Sequence, residues 1–175
     1  MQSFSRFLAR DLLILLLVAA LWWAFADLSL GKGLLSDFVG LILGVGFGVC
    51  VFLLHEWGHL LGALGTGSQV FAPKSLQSVY LFSFDSKNNT RRQFLIMSIS
   101  GFAVTGLALV CAYGPLDGPM QASRVARGAI AVLASLTLFI EFPIAIWSIF
   151  SPSLPPVETF SKSTATKDHE APAQV

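Results

Sequence analysis

The stretch VFLLHEWGHLLGALG, residues 51–65, combines the composition of a membrane-spanning helix with three ionisable side chains. His55, Glu56 and His59 fall in one short motif inside a run that is otherwise almost entirely apolar. A charged residue at the centre of a membrane helix costs about 2.5–3.5 kcal/mol on insertion scales, so such a residue indicates a functional site. This stretch therefore indicates both a membrane-embedded helical fold and the position of a candidate functional site.

The composition of the whole chain is that of a membrane protein. Of its 175 residues, 54% are hydrophobic and only 12% are charged, whereas an average soluble domain has about 25% charged residues. The net charge is +1, and no basic cluster is larger than the pair Arg91 and Arg92. We therefore expect the lipid bilayer, and not nucleic acid, as the surroundings of this chain.

Four segments are apolar over the roughly 17–25 residues that a membrane span needs. These predicted spans cover residues 12–28, 35–64, 94–113 and 129–150. We therefore predict an all-α polytopic membrane protein, with a single membrane-embedded domain over residues 1–150. The remainder, residues 151–175, is rich in Pro, Ser, Thr and charge and is predicted to be a disordered cytoplasmic tail.

The distribution of lysine and arginine predicts the orientation. With the N-terminus in the cytoplasm, the cytoplasmic segments hold most of the 11 basic residues. We predict a multi-pass protein with both termini cytoplasmic, in the plasma (inner) membrane if the cell is a prokaryote. The first span ends in Ala24-Phe25-Ala26, which resembles a signal-peptidase site, but the bulky Trp22 and Trp23 beside it favour a retained anchor.

The loop between the second and third spans contains short runs of β-branched and aromatic residues. These runs are Gln69–Phe71 and Ser78–Phe84, and the second is followed by the turn-forming Asn88 and Asn89. A small β-hairpin at the membrane surface and an irregular amphipathic loop both fit this pattern.

The motif His55-Glu56-Trp57-Gly58-His59 is an HExxH pattern on a predicted helix. Residues four apart project from one face of a helix, a turn apart. At that spacing two imidazoles can bind one zinc ion, each at about 2.0–2.1 Å. Glu56 lies beside this face, where it can take a proton from a water that the metal activates. The pattern predicts zinc as the cofactor, His55 and His59 as ligands, and Glu56 as the general base.

A catalytic zinc ion usually has a third protein ligand, and depth in the bilayer separates the candidates. His59 lies about five residues before the end of its span, and Glu141 about nine residues before the end of a span that runs in the same direction. At 1.5 Å per residue these positions differ by about one helical turn. Glu141 is therefore the predicted third ligand, and Pro143 should kink its helix. The rival is Asp117, in a loop on the opposite side of the membrane.

These residues resemble the site-2 protease family of intramembrane zinc metalloproteases. The resemblance rests on His55, Glu56 and His59 in a hydrophobic helix and extends over residues 35–150. Gly101 occupies the place of the family's Gly-Pro pair, with Phe102 where proline is usual. The family's third ligand is an aspartate in a Leu-Asp-Gly motif on a later helix; here that triplet, Leu116-Asp117-Gly118, comes too early in the chain.

The resemblance implies an enzyme that hydrolyses a peptide bond in or near a membrane-spanning segment of a protein substrate. The strand-like run Ser78–Phe84, and within it Val79 and Leu81, would bind the unwound substrate as an added strand. An alternative is a catalytically inactive, metal-binding scaffold. A zinc transporter is a third hypothesis, but four spans with a single polar cluster offer no relay of polar groups across the bilayer.

Overall fold

The computed structural model describes residues 2–116 and 118–155. The described residues form five α-helices: α1 Gln2–Phe25, α2 Leu34–Gly65, α3 Arg91–Tyr113, α4 Gln121–Leu136 and α5 Phe142–Phe150. A 3-10 helix, Ala26–Leu30, follows α1, and a π-helical turn, Thr137–Glu141, joins α4 to α5. Two short strands, β1 Val70–Phe71 and β2 Ser83–Phe84, lie between α2 and α3.

Four helical stretches are long and apolar enough to cross a membrane. They are Phe4–Leu30, Leu34–Gly65, Arg91–Tyr113 and Gln121–Phe150. The predicted all-α polytopic fold is confirmed, and the four stretches fit a multi-pass membrane protein. The fourth begins at Gln121, eight residues before the predicted start at residue 129. The prediction missed these first turns because Arg124 and Arg127 interrupt the apolar run. A helix end tolerates these residues, since their long side chains can reach the membrane surface.

Glycines allow α2 to approach its neighbours closely. Toward the start of α2, Gly40, Gly44 and Gly48 recur every four residues and lie against a row of α4 with the same spacing, Gln121, Val125 and Ala129. A Cβ atom at any of the three glycines would overlap the facing α4 side chain. Close approach through small residues is how helices associate in lipid, so these three glycines have a packing role between α2 and α4.

The loop between α2 and α3 contains the predicted hairpin in shortened form. Strands β1 and β2 are antiparallel, with Val70 opposite Phe84 and Phe71 opposite Ser83. Within the strand-like run Ser78–Phe84 only residues 83–84 form a strand, and residues 78–82 are irregular, so the loop combines the two alternatives that the sequence left open. In the irregular part Leu81 turns inward: its side chain is 1% exposed and packs with Phe7 and Leu60.

The start of α1, the α2–α3 loop and residues 151–155 all lie at one end of the bundle. Arg10 on α1 donates a hydrogen bond to the carbonyl oxygen of Ser78, and Ser86 of the loop donates one to the carbonyl oxygen of Pro155. Leu154 packs against the buried cluster that contains Phe84 and Phe94. Residues 151–155, the start of the predicted tail, therefore contact the bundle, while residues 156–175 lie outside the described part of the chain.

Candidate metal centre

Helix α2 brings the two histidines of the motif together. His55 and His59 lie one turn apart near the end of α2, and their Nε2 atoms are 3.0 Å apart. The two rings meet edge to face, with centroids 4.4 Å apart. His55 is 1% exposed, and the His59 side chain is 13% exposed. The helical spacing has thus turned both imidazoles toward a single point inside the bundle, as predicted.

Helix α3 orients both rings through their other nitrogen. Nδ1 of His59 is 2.9 Å from the carbonyl oxygen of Met97, and Nδ1 of His55 is 3.1 Å from that of Gly101 and 2.8 Å from the Thr105 hydroxyl. Because a carbonyl oxygen only accepts, each Nδ1 can donate to it, and in the neutral ring this leaves Nε2 available as a metal ligand. Histidines that bind a metal ion through one ring nitrogen usually donate a hydrogen bond from the other in this way.

Glu141 reaches the histidines from the turn between α4 and α5. Its Oε1 is 3.3 Å from Nε2 of His55, and its Oε2 is 3.5 Å from Nε2 of His59. The local helix is π-helical, and the backbone N–H of Phe142 donates to the carbonyl oxygen of Thr137, five residues earlier. Pro143 cannot donate to the carbonyl four residues before it, and π-helical turns are frequent at functional sites. The predicted kink is therefore a widened turn that presents Glu141.

Glycine at position 101 makes room for the His59 ring. A Cβ atom on Gly101 would overlap the imidazole of His59. Gly58 and Gly62 bring the same part of α2 onto α3, where added Cβ atoms would meet Val104 and Ser100. The ring of Phe102 lies edge to face with that of His59, at 6.2 Å between centroids. The α2–α3 contact thus holds the motif histidines in fixed positions.

The three side chains have the chemistry and the spacing of a metal site. His55, His59 and Glu141 each offer one ligand atom, and these atoms all lie within 4.8 Å of one another. Oε2 of Glu141 is buried and has no hydrogen-bond partner. Ligand atoms bound at about 2.0–2.1 Å around a tetrahedral ion are roughly 3.3 Å apart, close to the separations observed here. Three potential ligand atoms that converge on one point could hold a metal ion, and the residues present fit one.

Glu56 lies beside this group and is not one of the three ligands. Its Oε2 accepts a hydrogen bond of 3.3 Å from the backbone N–H of Leu81, and it interacts electrostatically with His55, His59 and Glu141. The side chain is half-buried. A carboxylate next to a metal centre, with its own fixed N–H donor, is suited to accept and release a proton.

The other predicted site residues have different outcomes. Asp117, the rival third ligand, lies outside the described residues. Val79 is 64% exposed in an irregular segment, whereas Leu81 is buried and its N–H is already bound to Glu56.

Sequence reasoning missed Asp11, which is 2% exposed and accepts a hydrogen bond from the indole N–H of Trp57 in the motif. An aspartate directly before an apolar span was the available signal.

Comparison of the chain with protein-family models, with characterised proteins and with solved structures found no match. The resemblance to the site-2 protease family therefore rests on the motif and its placement in the helices.

Proposed function

We propose that this protein is an intramembrane zinc metalloprotease that hydrolyses a peptide bond in or near a membrane-spanning segment of a protein substrate. The observation that carries the proposal is the convergence of His55, His59 and Glu141 on one point, with Glu56 adjacent and left out of the set. Two imidazoles and one carboxylate form a ligand set that catalytic zinc sites use, with one position left open.

Zinc is the metal that this ligand set favours. The set contains two borderline nitrogen ligands and one oxygen ligand, and it has no thiolate. Calcium and magnesium prefer six or more oxygen ligands or retained waters, which a site with two imidazoles does not provide. A zinc ion bound there would polarise a peptide carbonyl and lower the pKa of a water toward about 7.

The remaining chemistry belongs to the chain's own residues. The Glu56 carboxylate accepts a proton from the attacking water and later delivers it to the leaving amine, so that one water and one peptide bond yield a carboxylic acid and an amine. His55 and His59 are held by α3 through Nδ1 and do not need to move. Glu141 would neutralise part of the positive charge of a zinc ion held there.

The family resemblance supports the same proposal. A site-2 protease would carry aspartate as its third ligand, and here Glu141, one methylene longer, lies within reach of both histidines. The longer side chain starts from a π-helical turn, which alters where the carboxylate emerges. We infer that the change of residue and the change of helix geometry compensate for each other.

The position of the centre supports cleavage near one membrane surface. The histidines lie in the last turns of α2, at the end of the bundle that also carries the α2–α3 loop. By the charge distribution this end is the cytoplasmic one. A substrate helix must unwind there before its backbone reaches the centre. The exposed Val79 remains the proposed contact for the unwound segment, whereas Leu81 acts through its backbone on Glu56.

The first prediction separates catalysis from metal binding. Wild type and Glu56→Gln are purified in detergent, their bound zinc is measured by elemental analysis, and both are incubated with a panel of single-span substrates. We expect equal zinc in the two proteins and a rate for Glu56→Gln that is about 10²–10⁴-fold lower, the usual contribution of a general base. Equal cleavage by both proteins contradicts the protease mechanism. Zinc binding without cleavage by wild type would instead favour the inactive scaffold.

A further inference from the structure

A buried carboxylate that the proposed reaction does not use lies on α1. Asp11 is 2% exposed. Its Oδ1 accepts a hydrogen bond of 2.7 Å from Nε of Arg10, and its Oδ2 accepts one of 2.8 Å from the indole N–H of Trp57. Trp57 is the residue next to Glu56 on α2. An aspartate shared by an arginine and an indole in this way fixes α1 to the motif itself.

Arg10 extends the contact to the α2–α3 loop. Its guanidinium group donates to the carbonyl oxygens of Leu76 and Ser78 and lies over the ring of Phe7, at 5.0 Å from the centroid. A planar guanidinium with several fixed donors can hold two carbonyl oxygens and a carboxylate at once. We call residues 76–81 the strap, because Arg10 holds one end of this segment against α1.

The other end of the strap contacts Glu56. The Leu81 side chain is buried against Phe7 of α1 and Leu60 of α2, and its backbone N–H donates to Oε2 of Glu56. The chain of contacts is therefore closed. It runs from Glu56 through the strap to Arg10, from Arg10 to Asp11, and from Asp11 through Trp57 back to the backbone of Glu56.

Packing of α1 against the bundle does not by itself explain the polar contacts of Arg10 and Asp11. The membrane-spanning part of α1 is largely exposed: Leu13, Leu16 and Trp23 are 68%, 68% and 91% exposed. The buried side chains of α1 in the described residues are Phe7 and Asp11, both at the end nearest Glu56. Polar bonds can strengthen helix association in lipid. Here they are concentrated where the strap and the motif meet.

We propose that Arg10 and Asp11 are positioning residues for Glu56: they hold the strap and Trp57 so that the Leu81 N–H fixes the direction of the Glu56 carboxylate. This inference rests on the proposed function, in which Glu56 is the general base. By this inference α1 supports the reaction in addition to anchoring the protein in the membrane.

The test uses the full-length protein in detergent and two readouts. Hydrogen exchange measured by mass spectrometry reports on the amides of the strap, and single-span substrate cleavage gives kcat and KM per zinc-loaded molecule. We expect Arg10→Gln and Asp11→Asn to retain zinc, to exchange the strap amides faster, and to lower kcat about 10-fold to 100-fold, as small misplacements of catalytic groups do. KM should rise as well, because Val79 of the strap is the proposed substrate contact; the fall in kcat is the part that reports on Glu56.

Arg6→Gln is the matched control, because Arg6 is an exposed arginine on the same helix. It removes the same charge from the same end of the chain and should match wild type in both readouts. Arg10→Lys keeps the charge but replaces the planar guanidinium by a single ammonium group, so it should give intermediate values. It takes the place of Arg10→Gln if that variant does not fold.

Two results would overturn the inference. One is wild-type exchange in the strap of Arg10→Gln. The other is a variant that loses folded, zinc-loaded protein while the remaining molecules keep the wild-type kcat, since that is the effect of a purely structural contact. A wild type that binds zinc and cleaves nothing contradicts the proposed protease and not the strap, because faster exchange in Arg10→Gln would still show that Arg10 holds residues 76–81.

Discussion

Among single residues, Gly101 is as important to the candidate metal centre as the ligands, because it has no side chain. The His59 imidazole occupies the space that a Cβ atom on Gly101 would fill. The ring is also held at Nδ1 by the carbonyl oxygen of Met97 on the same helix. A packed, hydrogen-bonded ring has little freedom to adjust, so its Nε2 atom keeps a fixed direction toward His55 and Glu141.

Gly101→Ala should therefore displace His59 from the centre. The added methyl group overlaps the ring, and such overpacking typically costs about 1–3 kcal/mol. We expect bound zinc to fall to a minor fraction of the wild-type content while the protein still folds, as measured by elemental analysis and size-exclusion chromatography. Gly106→Ala on the same helix is the control, because nothing lies within 4 Å of a Cβ atom there. Wild-type zinc content in Gly101→Ala would show that the ring is not where we describe it.

At the scale of helices and turns, Glu141 depends on the π-helical turn Thr137–Glu141. An extra residue in this turn rotates the side chains that follow relative to a regular α-helix, since each residue turns the helix by about 100°. Pro143 favours the wider turn because it cannot donate to the carbonyl oxygen of Phe139 and would clash with it in a regular helix. The direction of the Glu141 side chain is thus a property of the whole turn.

Pro143→Ala tests this dependence without changing a ligand. Alanine restores the missing donor and permits a regular helix, so we expect Glu141 to turn away and the zinc affinity to fall about tenfold, a size typical of losses around a metal site. Competition with a fluorescent zinc chelator measures the affinity. Pro152→Ala, beyond α5, is the matched control and should bind like wild type. An unchanged affinity in Pro143→Ala would mean that the turn is not what positions Glu141.

The sequence predicted the parts of this fold that follow from local pattern. The apolar runs predicted the spans, the four-residue spacing predicted the paired histidines, and comparing depths selected Glu141. It could not predict the contacts of Asp11 and Leu81, which join segments far apart in the chain and exist only once the helices have packed. Leu81 likewise packs against Phe7 of α1 and Leu60 of α2 and lies in the irregular part of the run Ser78–Phe84, of which only residues 83–84 form a strand.

In the assembled bundle, the candidate metal centre lies between α2, α3 and the turn that joins α4 to α5. Its ligands come from α2 and from the turn between α4 and α5, while α3 holds the histidine rings from behind. A metal ion bound there would join His55 and Glu141, which are 86 residues apart in sequence. A ligand that binds only the folded state stabilises it, so the metal should contribute to stability as well as to chemistry.

Removal of the metal should accordingly lower the melting temperature. We expect a chelator to lower the Tm of the detergent-solubilised wild type and added zinc to restore it, because zinc at about 100 times its Kd stabilises the folded state by about 2.7 kcal/mol. Differential scanning fluorimetry measures the shift. His59→Ala is the control and should have the same Tm with chelator or zinc. A chelator-dependent Tm that persists in His59→Ala would place the stabilising metal elsewhere.

Whether His55, His59 and Glu141 form one zinc site is tested by the zinc content of three purified proteins. Wild type, Glu141→Ala and Asp117→Ala are prepared identically in detergent and analysed by inductively coupled plasma mass spectrometry. We predict about one zinc ion per chain in wild type and in Asp117→Ala, and less than about a tenth of that in Glu141→Ala, since a lost ligand also opens the site. Zinc retained by Glu141→Ala and lost from Asp117→Ala would contradict the account.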